Sequence, residues 1–91
     1  MSDWTFLTNH GHVIVFLTRT PDARVRDIAE AIGITERAAQ RIISDLVEAG
    51  YVTRTRDGRR NKYSFDSSKP LRHPIEEGHD IGELIESLSS E

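Results

Sequence analysis

Apolar positions recur along the chain with two different periods, and the switch between them outlines the elements. Trp4, Phe6 and Leu7 make the opening segment too apolar for a free tail, so it is expected to pack on the core or on another subunit. Thr8 or Asn9 then caps a helix. In it His10, Val13, Ile14 and Leu17 share one face, with Phe16 beside it, and Thr20-Pro21-Asp22 ends the element. Ala23-Arg24-Val25 is short and reads as a minor strand. Ile28, Ala29 and Ile32 resume helical spacing up to Gly33, which suits the left-handed position that closes a helix. Thr35 caps a longer helix running through Ala49, and Gly50 ends it. Two helices joined by a turn of about three residues containing Gly make a helix-turn-helix.

The period then drops to two. Tyr51 to Arg56 is rich in β-branched and aromatic residues and predicts a strand. Asp57-Gly58 predicts a two-residue hairpin turn, and Arg59 to Phe65 the returning strand. That turn sets Arg56 opposite Arg59, Arg54 opposite Asn61 and Val52 opposite Tyr63, with Val52, Tyr63 and Phe65 anchoring the inner end. Asp66 to Pro74 is a turn-rich connector, after which Asp80 or a neighbour caps a last helix. Its apolar stripe is Ile81, Leu84, Ile85 and Leu88. The expected fold class is α+β, mostly α: a three-helix core with a β-hairpin, plus a C-terminal helix. Residues 1–66 form the helix-turn-helix unit with its N-terminal segment. Residues 67–91 are a connector and helix belonging to the same domain or to a dimer interface.

The helix from Thr35 to Ala49 has two unlike sides. Ala39, Ile42, Ile43 and Leu46 fall together, with Val47 adjoining. Arg37, Gln40, Arg41 and Ser44 recur at i, i+3, i+4 and i+7 about 160° away. The first stripe is core. The second carries side chains that can read base edges, Arg pairing with guanine and Gln with adenine. The helix amino end, near Thr35 and Glu36, favours a phosphate. Glu48 shares the polar azimuth at the far end. A solvated helix face is the plain alternative, and the hairpin weighs against it. Arg56 and Arg59 would oppose each other there, a destabilising pairing, while Arg60 and Lys62 extend the positive surface on the other face. A phosphate backbone would relieve that repulsion.

Composition changes the picture in three places. The chain of 91 residues fits one domain with a modest core and little spare volume for an enzyme cavity. It has no cysteine, which excludes disulfides and thiolate metal sites. The net charge of −3 speaks against a polyanion partner, but the distribution speaks for one. Arg54, Arg56, Arg59, Arg60 and Lys62 are opposed only by Asp57, whereas Glu76, Glu77, Asp80, Glu83, Glu86 and Glu91 lie in a stretch without Lys or Arg. No apolar run approaches the roughly 20 residues that span a bilayer, and no signal-peptide pattern opens the chain. A soluble cytoplasmic protein is therefore expected.

Enzyme chemistry finds no support. There is no Gly-rich phosphate loop, nucleophile elbow or HExxH motif, and Glu76-Glu77 lies in a linker. His10 and His12, two apart, point in different directions on a helix. His79 and Glu83 are spaced to share a metal, with Asp80 and His73 near in sequence, but no ligand set has zinc-like spacing. No metal or cofactor is expected.

The stretch Val25 to Phe65 resembles winged helix-turn-helix regulators, the MarR and ArsR groups of prokaryotic repressors most of all. The resemblance rests on Ile28-Ala29-Glu30-Ala31-Ile32-Gly33-Ile34-Thr35, Leu46-Val47-Glu48-Ala49-Gly50-Tyr51-Val52 and Asp57-Gly58-Arg59-Arg60. It implies that the second helix of the motif enters the major groove and that the hairpin, or wing, lies along the backbone or minor groove. Thr35, Arg37, Gln40, Arg41 and Ser44 are then the recognition-helix site. Arg54, Arg56, Arg59, Arg60 and Lys62 are the wing site. The resemblance also implies a homodimer, with Trp4, Phe6, Leu7, Ile81, Leu84, Ile85 and Leu88 as its candidate interface. The chain is shorter than typical MarR proteins and lacks the cysteines of many ArsR metal sensors. The function expected is sequence-specific binding of double-stranded DNA as a small transcription regulator, a repressor. The alternatives are a winged-helix module that docks on protein and a metal-responsive ArsR-like sensor.

Overall fold

A computed structural model describes residues 3–89. Three helices come first: α1 (Asn9–Arg19), α2 (Val25–Ile32) and α3 (Glu36–Glu48). A hairpin of β1 (Val52–Asp57) and β2 (Arg60–Phe65) follows, then a 3-10 turn at Pro74–Glu76 and α4 (Ile81–Leu88). This is the expected α+β arrangement. No helix among the described residues is long and apolar enough to cross a membrane.

Side-chain caps fix where most helices begin. The Thr8 hydroxyl accepts from the Gly11 N–H at 3.4 Å, Thr35 from Ala38 at 3.0 Å, and the Asp80 carboxylate from Glu83 at 2.9 Å. Such caps satisfy amides that have no partner inside the helix. Gly33 closes α2 with a φ of 86°, and the amides of Gly33 and Ile34 both donate to the Ala29 carbonyl. Only a residue without Cβ takes that conformation freely, and the sharp turn it allows leads directly into Thr35 and α3.

The minor strand expected at Ala23-Arg24-Val25 does not form. The Ala23 amide closes a turn onto Thr20, and the Ile28 amide takes the Arg24 carbonyl as the first bond of α2. Turn and helix start consume all three residues, so none can join a ladder. The sheet is joined to this region by a backbone hydrogen bond from the Tyr63 N–H to the Pro21 carbonyl at 2.8 Å.

The hairpin register also differs from expectation. Val52 pairs with Phe65, Arg54 with Tyr63, Arg56 with Asn61 and Asp57 with Arg60. The loop residues are therefore Gly58 and Arg59. Gly58 has a φ of 66° and no described non-glycine residue has a positive φ. A glycine in the first loop position is the signature of a type II′ turn, whereas Asp57-Gly58 as the loop would force Asp57 to positive φ. Arg56 and Arg59 thus do not oppose each other, and the repulsion argument built on that pair fails. The shift preserves the faces: Arg54 and Arg56 still share one with Asn61 and Tyr63, and Arg60 and Lys62 lie on the other.

All these elements close on one core. Val13 and Ile14 of α1, Ile28 of α2 and Ile43 of α3 are its largest fully buried side chains. Tyr51, Val52 and Tyr63 bring in the root of the hairpin, and Ile81 and Ile85 bring in α4. The connector returns α4 by backbone bonds, Ile81 N–H to the Lys69 carbonyl at 2.8 Å and Gly82 N–H to the Ser67 carbonyl at 2.9 Å. The Tyr51 hydroxyl, donating to the Pro70 carbonyl, pins the connector to the end of α3.

The opening segment does not pack on this core as a unit. Leu7 is half-buried and rests on Gly11, but Trp4 is 68% exposed and Phe6 93% exposed. The two aromatic rings pack on each other edge to face, with centroids 4.9 Å apart.

Candidate nucleic-acid interface

The site is built first on α3. Ala39, Ile42, Ile43 and Leu46 are all buried, and they fix the rotation of the helix about its axis. Arg37, Gln40, Arg41 and Ser44 are all exposed, as the opposite stripe must be. Gly33 and the Thr35 cap fix the start of α3, and its far end passes into β1, on which it packs. A helix held at both ends and along one side presents its outer side chains in a defined frame. Glu48 is exposed at the far end of that outer side. Asp45 is engaged elsewhere, its carboxylate 2.8 Å from His10 Nε2 on α1.

The hairpin is held only at its root. From Thr53 to Arg60 every residue is exposed. Arg54, Arg56, Arg59, Arg60 and Lys62 all lie there or just beyond, so the charge is displayed to solvent. Arg56 donates from Nε to the Gly58 carbonyl at 3.2 Å, which steadies the loop. Arg60 lies 3.8 Å from the Asp22 carboxylate. Among the described residues, Arg37, Arg41, Arg54, Arg56, Arg59 and Lys62 form no ion pair within the chain. An exposed cation without an internal partner keeps its full attraction for an external anion.

Arg24 was not among the expected site residues. It is the N-cap residue of α2 and lines a cleft of about 320 Å³ together with Asp22, Arg59, Arg60 and Tyr63. Assigning it to a strand hid it. The signal that could have found it is Asp27, three residues on, whose carboxylate accepts from the Arg24 amide at 3.3 Å as the acid in the first turn of a helix does.

The expected interface residues near the ends divide. Ile81 and Ile85 are buried in the chain's own core, so they are not free for a second subunit. Leu84 packs half-buried against the core, whereas Trp4, Phe6 and Leu88 are exposed. His79 Nδ1, just before the Asp80 cap of α4, and Glu83 Oε1 in its first turn are 2.6 Å apart, as their i, i+4 spacing suggests. That hydrogen bond, then the charges of Glu83 and Asp80, raises the His79 pKa above its ordinary value, and the same bond lowers that of Glu83. The His73 ring accepts from the Ile75 amide instead. Among the described residues no three His, Asp or Glu side chains group as metal ligands.

Three helices, a glycine-closed turn before the second helix of the motif and a basic hairpin define a winged helix-turn-helix fold. The family model described as the MarR family matches residues 5–60, and the chain belongs to the MarR family. No curated protein matches it. Among solved structures it is similar to MepR, a transcription regulator of the Staphylococcus aureus multidrug efflux pump MepA. That likeness has 20% identity and a TM-score of 0.63, over 89% of this chain and 56% of that one. It is also similar to Lactococcus lactis ZitR in complex with DNA, with 22% identity and a TM-score of 0.58, over 71% of this chain and 46% of that one. A third similarity is to the zinc-dependent MarR family transcriptional regulator AdcR in its Zn(II)-bound state. There the identity is 20% and the TM-score 0.52, over 71% of this chain and 47% of that one. The chain spans about half the length of these structures. At these identities the likeness is one of fold.

Proposed function

We propose that this chain binds double-stranded DNA in a sequence-specific manner and acts as a transcription regulator, repressing by blocking polymerase. The observation that carries the reading is the exposed stripe of Arg37, Gln40, Arg41 and Ser44 on a helix whose opposite side is buried. In helix-turn-helix docking, the amino-terminal half of such a helix lies in the major groove with its side chains on base edges. The exposed wing cations supply phosphate contacts, which set affinity and orientation without reading sequence. The DNA complex of ZitR, a protein of like fold, supports the same mode here.

The reading includes a symmetric homodimer on a roughly palindromic site, with half-sites about one helical turn apart. Exposed Trp4, Phe6 and Leu88, with half-buried Leu84, are the apolar surface for the second copy. Light scattering with and without duplex reads the assembly, and a single-copy mass in both conditions overturns this part.

Selection of bound fragments from random duplex DNA tests the function. Enrichment of a palindromic motif is the expected result. Fluorescence anisotropy on that motif is expected to show a log–log salt slope near about −7 for about eight phosphate contacts. Absence of enrichment, with binding instead to an acidic protein surface, would turn the reading toward a protein-docking module.

A further inference from the structure

Apolar surface is left open on two neighbouring parts of this molecule. The first is the opening arm, where Phe6 is 93% and Trp4 68% exposed and the two rings stack on each other. The Thr5 hydroxyl donates to the Leu7 carbonyl at 2.7 Å and Leu7 rests on Gly11, so the arm is bent at its root and the ring pair stands off the core. The second is a groove of about 530 Å³ between α1, the end of α2 and the end of α4. Val15, Phe16, Ile32 and Leu88 make its lining apolar, and Leu7, at the root of the arm, belongs to it as well. Trp4 and Phe6 are not among its lining residues.

Area, chemistry and symmetry all fit the arm of a second copy to this groove. An aromatic side chain buries about 150–250 Å². Two exchanged arms carry four rings, and with the groove surface they cover the total is about 1,200–2,000 Å², the span of a specific, stable interface. Arg19 lines the groove and is exposed, and its guanidinium donates to the Leu88 carbonyl at 2.7 Å, which holds the cation in place. A guanidinium held against an apolar wall suits the face of an indole ring. Because Leu7 joins the arm to the groove, both lie on one patch, and a two-fold axis beside that patch exchanges both arms at once.

We propose that the groove between α1 and α2 receives the Trp4–Phe6 arm of a second copy, which takes the first copy's arm in return. The inference rests on the homodimer part of the function proposed above and names the contact that builds it, adding Val15, Phe16 and Ile32 to the surface. Ile32 is the last residue of α2 and is followed by Gly33 and the cap of α3, so the partner's rings pack beside the turn that sets the reading helix. Pairing of the copies and orientation of α3 are thereby coupled.

Trp4 is the only tryptophan of the chain, so its fluorescence reports on the arm directly. As the whole chain is concentrated, Trp4 emission is expected to move to shorter wavelength while the mass by light scattering rises from one copy to two. Phe6→Ser removes a ring that lies outside the core, and Ala31→Glu puts a charge into the groove from an exposed position. Each is expected to weaken pairing about thirtyfold or more, the scale of a buried aromatic anchor, with melting curves of the dilute chain unchanged. An equal mixture of the two variants retains one intact arm and one intact groove, and is expected to pair more tightly than either variant alone. No gain on mixing overturns the exchange. Emission at the shorter wavelength at every dilution means that each arm fills its own groove, and overturns it too. A two-copy mass with Trp4 emission unchanged places the dimer on another surface and also sinks the inference. A single-copy mass at every concentration, with and without duplex, overturns the homodimer reading beneath.

Discussion

The outward stripe of α3 and the hairpin are both exposed and both carry unpaired arginines, yet they are held in opposite ways. Along α3, four buried residues alternate with the outward stripe over the whole length of the helix. Along the hairpin, full burial stops at Val52 on one strand and at Tyr63 on the other, and toward the tip every residue but half-buried Asn61 is exposed. The contrast suits the two tasks proposed for these elements. Bidentate pairing to a base edge requires a side chain placed within a fraction of an ångström, which a packed helix can provide. Attraction to a phosphate backbone tolerates a flexible mount, because it falls off slowly with distance.

The sharpest way to break this contrast is to remove its foundation. Ile43→Ala, at a position 1% exposed, is expected to cost about 2–5 kcal/mol of stability, whereas Arg56→Ala on the exposed hairpin stays within about 0.5 kcal/mol. Denaturant melts of the two variants check it, and equal losses would show that the hairpin is as integral to the fold as α3.

The next effect separates reading from charge. Arg41→Ala is expected to cost about 1–3 kcal/mol on the selected sequence and much less on random duplex. Arg59→Ala should weaken all sequences alike and reduce the salt slope by about 0.9. Equal loss on selected and random duplex for Arg41→Ala would remove its base-reading role.

Thr35→Ala removes the acceptor for the Ala38 amide and is expected to cost about 1 kcal/mol. If frame matters more to α3 than to the wing, affinity for the selected sequence should fall further than affinity for random duplex.

The smallest effect lies far from both elements, at His79 and Glu83. His79 has its pKa raised, so its stabilising share is full below the ordinary histidine value of 6.5 and is lost as pH rises through the elevated folded value. Glu83 has its pKa lowered, so its share is full above the ordinary 4.5 and is lost as pH falls through the depressed folded value. The pair therefore contributes most between those two ordinary values. His79→Gln should lower the melting temperature between those values and flatten its pH dependence on either side of them, by a small amount because both side chains are exposed. An NMR titration placing His79 at or below the ordinary value would contradict the assignment.

Much of this molecule was legible in the chain itself. The helices of the motif, their glycine-closed turn and the split of α3 into buried and exposed stripes follow from local rules: side-chain periodicity, cap chemistry and the conformations open to glycine. Those rules act within a turn or two of chain, so no distant residue is needed to apply them. The hairpin register was not legible, because Asp57-Gly58 and Gly58-Arg59 are both acceptable loops locally and keep the same faces. Packing of Val52, Tyr63 and Phe65 against α1 and α3 decides between them.

By itself the sequence determined which side of α3 faces outward and that the hairpin would be cationic, since periodicity and composition are properties of the chain alone. Only the tertiary structure decided that Ile81 and Ile85 belong to the chain's own core while Trp4 and Phe6 do not, and that Arg24 shares a cleft with Arg59. These depend on which surfaces meet after residues far apart in sequence are brought together, and local preference carries no record of that meeting.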